Sequence, residues 1–196
     1  MQATARRRYT YAEYLALEES TEEKHEFFEG HILAMAGGTF AHAKLKTNLT
    51  IVVGTALKGK RCQPYDSDQR IRVPATTLAT YPDLSVVCGR REPDQDDRHA
   101  AVNPTALFEV MSPSTSAYDR GQKFENYRRL PTLRHFVAIE SDRVHVDAYT
   151  LNEQGRWELQ DHGPGEVVDL PHIDVRFSVD ELYEGWEPDP VLAPGA

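Results

Sequence analysis

The stretch from Ala106 to Met111 restricts the fold of this chain more than any other. It reads Ala-Leu-Phe-Glu-Val-Met, an apolar run in which Glu109 is the one charged residue. Such a run is typical of a central strand that is covered on both faces, and that burial calls for helices packed on a sheet. A buried carboxylate is costly unless it is paired or binds a metal. Strand alternation leaves a second interpretation open, in which Glu109 points to a solvated face.

The neighbouring segments supply the helices and further strands that such a sheet needs. Apolar residues at helical spacing predict a long helix over about 40–57, and a second helix is predicted over about 117–130, ended by Pro131. A capping box, Thr10-Tyr11-Ala12-Glu13, opens a short first helix. Residues 25–35 fit either a strand–turn–strand or a helix end followed by a strand. Strands are predicted at 69–73, 84–88, 106–111, 134–140, 144–151, 157–159 and 166–170, and a turn at 74–80.

This order predicts an α/β (α+β) protein, with a central mixed β-sheet flanked by helices. A length of 196 residues suits one domain, which we assign to residues 1–186, followed by a loose, Pro-rich tail at 187–196. Cys62 and Cys88 form no CxxC motif, which excludes the usual structural zinc site, and a disulfide framework is not expected. No apolar run approaches about 20 residues, so we expect no membrane span and a cytoplasmic location.

Further residues that can carry chemistry lie before and after the central strand. Asp83 follows Tyr81-Pro82 and precedes the apolar Leu84–Val87 segment, so it lies at a strand mouth, although Pro-Asp is also a common turn dipeptide. Asp119, Lys123 and Tyr127 recur every four residues and share one helix face. The alternative for this helix is an ordinary, solvated Asp–Lys pair.

Two residues nearer the start of the chain complete the candidate set. Glu26 belongs to an acid-rich stretch, most of which is expected to be solvated surface. His42 lies at the start of the long helix, where it could reach a phosphate, although a lone helix histidine is more often structural. Two carboxylates at neighbouring strand ends suit Mg²⁺, and a lysine beside them can stabilise a pentavalent phosphate. The pattern therefore indicates metal-assisted hydrolysis of phosphodiesters.

The order of these motifs resembles that of the Uma-type restriction endonucleases, a former domain of unknown function in the PD-(D/E)XK nuclease superfamily. The resemblance covers about residues 8–150 and is carried by segments in the family's order. They are Tyr9–Leu15, Glu26–Ile32, His42, Tyr81–Val87, Phe108–Thr115 and Asp119–Tyr127. It implies a restriction-endonuclease-like fold, dependence on Mg²⁺ or Mn²⁺, and frequent homodimers.

The resemblance also implies roles for individual residues. Asp83 and Glu109 match the metal-binding carboxylates, and Glu26 matches an auxiliary acid near the metal. The superfamily lysine normally lies two residues after the second carboxylate, where this chain has Met111. Uma-type proteins usually share that departure and take their lysine from the following helix, which makes Lys123 the counterpart. His42 and Asp119 also match family positions, with less defined roles in substrate binding.

Three functions are consistent with these residues. The first is a Mg²⁺-dependent DNA endonuclease, and the second is a catalytically silent nucleic-acid-binding or regulatory protein on a nuclease fold. The third is hydrolysis of RNA or of a small phosphodiester, which nothing in the sequence separates from hydrolysis of DNA. Binding of metal discriminates the first function from the second.

The net charge of −9 at first argues against a nucleic-acid partner. The charge is unevenly distributed, however. Residues 1–139 carry 19 basic and 17 acidic side chains, whereas residues 140–196 carry 3 and 14. Lys44 and Lys46 lie in a segment, 30–65, that has no acidic residue. We therefore expect these two lysines to offer a surface that faces phosphate.

Overall fold

The computed structural model describes residues 7–35, 37–113 and 116–190. Its α-helices are α1 (Tyr11–Ser20), α2 (Phe40–Leu57), α3 (Ser116–Tyr118), α4 (Phe124–Tyr127) and α5 (Val179–Leu182). A π-helical turn, Asp119–Lys123, joins α3 to α4, and a 3₁₀ turn spans Pro171–Ile173. The strands are β1 (His25–Phe28), β2 (His31–Ala34), β3 (Cys62–Asp66), β4 (Ile71–Val73), β5 (Leu78–Thr80), β6 (Leu84–Cys88), β7 (Ala106–Met111), β8 (His135–Glu140), β9 (Val146–Leu151), β10 (Trp157–His162), β11 (Val167–Leu170) and β12 (Val175–Ser178).

Strand β7 lies inside a six-stranded sheet with the order β10-β9-β8-β7-β6-β3. It runs parallel to β8, whereas the other neighbouring pairs of this sheet are antiparallel. All six residues of β7 are buried, as expected for a strand covered on both faces. The predicted α/β (α+β) fold with a central mixed sheet and flanking helices is confirmed.

The two faces of β7 meet different helices. Phe108 and Val110 belong to the apolar cluster that includes Leu45 and Leu49 of α2. Leu107 and Met111 belong to a second cluster, together with Phe124 and Tyr127 of α4. Successive side chains of a strand point to opposite faces, so Glu109 shares the face of Leu107 and Met111. Alternation therefore directs Glu109 toward the helical segment 116–127, and not to solvent.

A smaller, four-stranded sheet has the order β2-β1-β5-β4. Its β1–β2 hairpin confirms the strand–turn–strand interpretation of residues 25–35. The expectation of a turn throughout 74–80 is wrong for its last part, because Leu78–Thr80 forms β5 and pairs with β1 and β4. The sequence pattern also does not predict the short strands β3 and β12. Three- to five-residue strands give too few alternations to be recognised.

The two cysteines are joined, which corrects the expectation that they would not form a disulfide. Cys62 and Cys88 lie directly opposite one another in the antiparallel β3–β6 pair, and their sulfur atoms form a disulfide bond. The bridge links residues that are 26 positions apart in the sequence. The pairing of β3 with β6 brings them together, and spacing alone could not reveal it.

The ends of the chain bear on two other expectations. The predicted tail at 187–190 has no regular secondary structure, although Asp189 Oδ1 accepts a hydrogen bond from the Ala41 amide at 3.3 Å. The remainder of that tail, 191–196, lies outside the described residues. Among the helices that are described, none has the length and apolar character needed to cross a bilayer.

Candidate active site

Glu109 lies in the protein interior, with only 4% of its surface exposed. Its Oε1 atom accepts a hydrogen bond from the Tyr127 hydroxyl at 2.7 Å and lies 2.9 Å from the Lys123 ammonium. Burial raises the pKa of the Glu109 carboxyl, against the lowering effect of the Lys123 charge. The nearby charges of Asp83 and Asp119 raise it further. The carboxylate is therefore one that a second cation would stabilise.

Lys123 lies at the end of the π-helical turn, where three carboxylates surround it. Besides Glu109, its Nζ atom lies 3.5 Å from Asp119 Oδ1 and 3.9 Å from Glu26 Oε2. Burial by itself lowers the pKa of the lysine, but these carboxylates raise it well above the usual range. Lys123 is therefore a permanent ammonium inside the fold. Turns of π-helix are frequent at functional sites, because the extra residue redirects side chains of an otherwise regular helix.

Glu26 reaches this cluster from the smaller sheet. Its Oε2 atom accepts a hydrogen bond from Thr80 Oγ1 at 2.7 Å, and its Oε1 atom accepts one from the Tyr118 hydroxyl. Thr80 lies in β5 and Tyr118 at the end of α3. Sequence reasoning missed both residues, because each is distant from Glu26 in the sequence and no motif spacing links them to it. The single available signal was that Thr80 immediately precedes the Tyr81-Pro82-Asp83 motif.

Asp83 lies just before β6, which pairs with β7 on the edge opposite to β8. Its Oδ2 atom accepts a hydrogen bond from the Val110 amide at 2.8 Å and lies 3.4 Å from His42 Nε2. Its Oδ1 atom lies 3.1 Å from the Lys46 ammonium. Burial would raise the pKa of the Asp83 carboxyl, but the hydrogen bond and charge of His42, followed by the charge of Lys46, lower it overall. Asp83 therefore remains ionised.

The residues that α2 contributes lie on one of its faces. Thr39 caps the helix by accepting a hydrogen bond from the His42 amide, and His42 and Lys46 follow one turn apart, so both side chains reach Asp83. Lys44 is separated from this pair, because its exposed side chain lies beside Gly185. The structure thus places all the sequence-predicted site residues except Lys44 in two neighbouring groups. His42 and Lys46 contact Asp83, whereas Glu26, Glu109 and Asp119 surround Lys123, and the charge of Asp83 acts on Glu109.

Four carboxyl groups, those of Glu26, Asp83, Glu109 and Asp119, face the ammonium groups of Lys46 and Lys123. A divalent cation beside Glu109 would stabilise the ionised form of this carboxyl, whose pKa is raised by burial. Carboxylate oxygens are the ligands that Mg²⁺ prefers, and this ion commonly binds one or two of them and retains several waters.

The donor atoms of Asp83 and Glu109 are chemically suited to Mg²⁺. Over the described ranges, no group of three or more His, Cys, Asp or Glu side chains is placed so that it could hold a metal ion. An ion bound by two carboxylates would thus keep most of its water. A cleft of about 570 Å³ lies elsewhere, beside α1 and the β1–β2 hairpin, and shares no lining residue with this cluster. The residues that line this cleft therefore bring none of the clustered carboxylates and lysines together.

Comparison with known proteins extends this description. The family described as "Uma2: Putative restriction endonuclease" matches residues 11–180. A protein of Synechocystis sp. (strain PCC 6803), named "Uncharacterized protein slr1290", is 37% identical over 173 residues, which cover 88% of this chain and 90% of that protein. A second Synechocystis protein, "Uncharacterized protein sll1609", is 31% identical over 150 residues, which cover 76% and 85% of the two chains.

One solved structure has the same fold. It comes from Anabaena variabilis ATCC 29413 and is described as a "putative nuclease belonging to DUF820". The two structures align with a TM-score of 0.74, over 90% of this chain and 98% of the other, at 20% sequence identity. This likeness concerns the arrangement of strands and helices. The chemistry of the present chain rests on its own residues.

Proposed function

Because this chain belongs to the family described as "Uma2: Putative restriction endonuclease", we propose that it is a Mg²⁺- or Mn²⁺-dependent endonuclease that hydrolyses phosphodiester bonds in DNA. One observation carries the proposal. Asp83, just before β6, acts electrostatically on Glu109 in the neighbouring strand β7, and the Lys123 ammonium lies 2.9 Å from Glu109. Family membership supports nuclease activity, and the metal and the DNA substrate are the parts that we add.

In this proposal Asp83 and Glu109 would hold the metal ion. When bound, Mg²⁺ polarises a phosphoryl oxygen and lowers the pKa of a coordinated water. Lys123 provides a fixed positive charge beside Glu109, where it orients the attacking water and stabilises the charge that develops on the phosphate. Glu26 and Asp119 keep the lysine in position. Tyr127 holds Glu109 by its hydroxyl.

The proposal is tested by incubating supercoiled, linear and single-stranded DNA with the purified protein and either Mg²⁺ or Mn²⁺. We expect nicking that stops when a chelator is added. Asp83→Asn and Glu109→Gln should abolish it without loss of the fold, as judged by circular dichroism. Glu125→Gln, at an exposed acid two residues after Lys123, is the matched control and should keep full activity. Full activity in both site variants contradicts the assignment.

A catalytically silent, nucleic-acid-binding protein is the second candidate, and titration with Mn²⁺ separates the two. Absence of metal binding, together with retained binding of DNA, would favour the silent protein. The same assays with RNA substrates decide between DNA and RNA. The homodimer and the cytoplasmic location are further parts of the proposal. Light scattering in solution tests the first, and localisation of the tagged protein in cells tests the second.

A further inference from the structure

Lys46 lies between a carboxylate and a neutral hydroxyl. Its Nζ atom is 3.1 Å from Asp83 Oδ1 and donates a hydrogen bond to Ser67 Oγ at 3.1 Å. The side chain of Lys46 is 30% exposed, whereas that of Asp83 is 12% exposed. The ammonium therefore covers the solvent-facing side of this carboxylate.

The second oxygen of Asp83 is engaged in a different way. Oδ2 accepts a hydrogen bond from the Val110 amide and also contacts His42. The Val110 amide belongs to β7, whose backbone is fixed between β6 and β8. A divalent ion that binds Asp83 must therefore approach Oδ1, which is the oxygen that Lys46 contacts. Two cations at that atom would repel each other strongly.

Lys46 is well suited to move, in contrast to Lys123. Lys123 is held by three carboxylates, and its side chain is only 7% exposed. Lys46 contacts one carboxylate and one hydroxyl, and its four-carbon stem projects from the surface of α2. A partly exposed ion pair of this kind contributes little stability. Separation of Lys46 from Asp83 therefore costs little free energy.

We propose that Lys46 is the counter-ion of Asp83 in the metal-free protein, that it releases Asp83 when a divalent ion binds, and that it then pairs with a phosphate of the nucleic-acid backbone. This inference rests on the proposed metal-dependent nuclease function and specifies the role of one residue in it. The released ammonium remains at the mouth of the site. A phosphate approaching Asp83 and Glu109 would pass beside it.

The first arm of the test measures metal affinity without DNA. Mn²⁺ is titrated calorimetrically into the wild-type protein, Lys46→Met and Lys44→Met. The Lys44 variant is the matched control, because it removes the same charge from the same helix at a residue that lies beside Gly185. We expect Lys46→Met to bind Mn²⁺ about tenfold more tightly, because the competing charge is gone. The control should bind as the wild type does.

The second arm measures binding of a DNA oligonucleotide in Ca²⁺. We expect Lys46→Met to bind it more weakly and to lose about one in the slope of log K against log salt, the signature of one lost phosphate contact. Thermal unfolding verifies that each variant is folded, and Lys46→Gln repeats both arms with a different side chain. Tighter metal binding together with weaker DNA binding is the result that a merely structural lysine would not produce.

The outcomes separate this inference from the function on which it rests. If the folded wild-type protein binds no Mn²⁺, both are overturned. If the wild type binds Mn²⁺ and Lys46→Met binds it equally or more weakly, the counter-ion role alone is overturned. If Lys46→Met binds Mn²⁺ more tightly but binds DNA with unchanged affinity and salt slope, the transfer to phosphate is overturned.

Discussion

The Lys123 ammonium lies 2.9 Å from Glu109 Oε1, although the lysine follows the glutamate by 14 residues and belongs to a different element. The connection between them leaves β7 and returns through the π-helical turn, which packs back on the face of β7 that carries Glu109. Under the proposed function, the lysine that the resemblance leads us to expect two residues after the carboxylate would be supplied from a helix. Met111, at the strand position, packs in the apolar cluster instead.

Replacing Lys123 by Met should destabilise the fold at neutral pH. The variant leaves Glu109, Asp119 and Glu26 close together in a buried environment without their shared cation. Removal of one partner of a buried ion pair costs about 3–5 kcal/mol of unfolding free energy. Urea unfolding at pH 7 measures the loss, and Lys58→Met, at an exposed lysine after α2, is the control with no expected effect. The double variant Lys123→Met/Glu109→Gln should recover part of the loss, and an unchanged stability of the single variant would contradict the ion pairing.

Gly38 is expected to matter for the site, whereas its neighbour Gly37 is not. A Cβ atom at position 38 would lie 2.9 Å from Cγ of the His42 ring, whereas one at position 37 meets no described atom within 4 Å. Gly38→Ala should therefore push the His42 ring away from Asp83. Under the proposed function we expect the rate of DNA cleavage to fall by up to roughly a hundredfold, as a misplacement of about 1 Å in an active site can cause.

Gly37→Ala provides the comparison, since it makes the same chemical change one residue earlier. It should leave the cleavage rate unaltered. Both variants should melt at the wild-type temperature, because His42 is not part of the apolar core and its partly exposed side chain can shift without disturbing it. Equal rates for the two alanine variants would show that contact between His42 and Asp83 is not needed.

The sequence predicts those site residues that lie in long periodic segments or in motifs that follow a recognisable order. Glu109 was recognised because a charge interrupts an apolar strand, and Lys123 because it shares a helix face with Asp119. The sequence alone does not decide whether Glu109 is buried. Its burial depends on which face of β7 meets the helix, and only the packed structure reveals this.

The remaining features depend on pairings between distant short segments. Thr80 contacts Glu26 because β5 pairs with β1, and a three-residue strand has too little pattern to be predicted. Lys44 and Lys46 are both lysines of α2, yet only Lys46 faces Asp83. The rotation of α2 about its own axis, relative to the sheet, decides which of the two lysines does so. The Cys62–Cys88 bridge likewise follows from the register of β3 on β6.

Reduction of the Cys62–Cys88 disulfide should lower stability. The bond closes a loop between residues 26 positions apart, and in the chain-entropy description such a cross-link stabilises the fold by about 3 kcal/mol. Urea unfolding with and without a reductant measures the difference, and thiol labelling followed by mass spectrometry verifies reduction. A Cys62→Ser/Cys88→Ser variant should match the reduced protein and should not respond to reductant. If complete reduction leaves the unfolding midpoint unchanged, the bridge does not stabilise the fold.

His135 should make the fold sensitive to acid. It is fully buried at the start of β8, with Nδ1 3.0 Å from Thr150 Oγ1, and Nε2 accepts a hydrogen bond from the His172 amide. Because Nε2 is an acceptor, the ring is neutral and carries its proton on Nδ1. Burial, followed by the nearby His172, lowers the pKa of His135 from 6.5 to about 3. Between these two pKa values the unfolded chain binds the extra proton and the folded protein does not, so unfolding becomes easier as the pH falls.

The expected loss from this residue is about 2 kcal/mol at pH 5 and about 4 kcal/mol near pH 3. Other groups also respond to acid, so the measurement is the difference in unfolding free energy between the wild type and His135→Gln at several pH values. The glutamine variant is expected to be less stable at pH 7, where it loses packing and hydrogen bonds. That deficit should shrink as the pH falls below 6.5, because the variant has no imidazole to protonate. A constant difference for His135→Gln would mean that His135 is not held neutral by the fold.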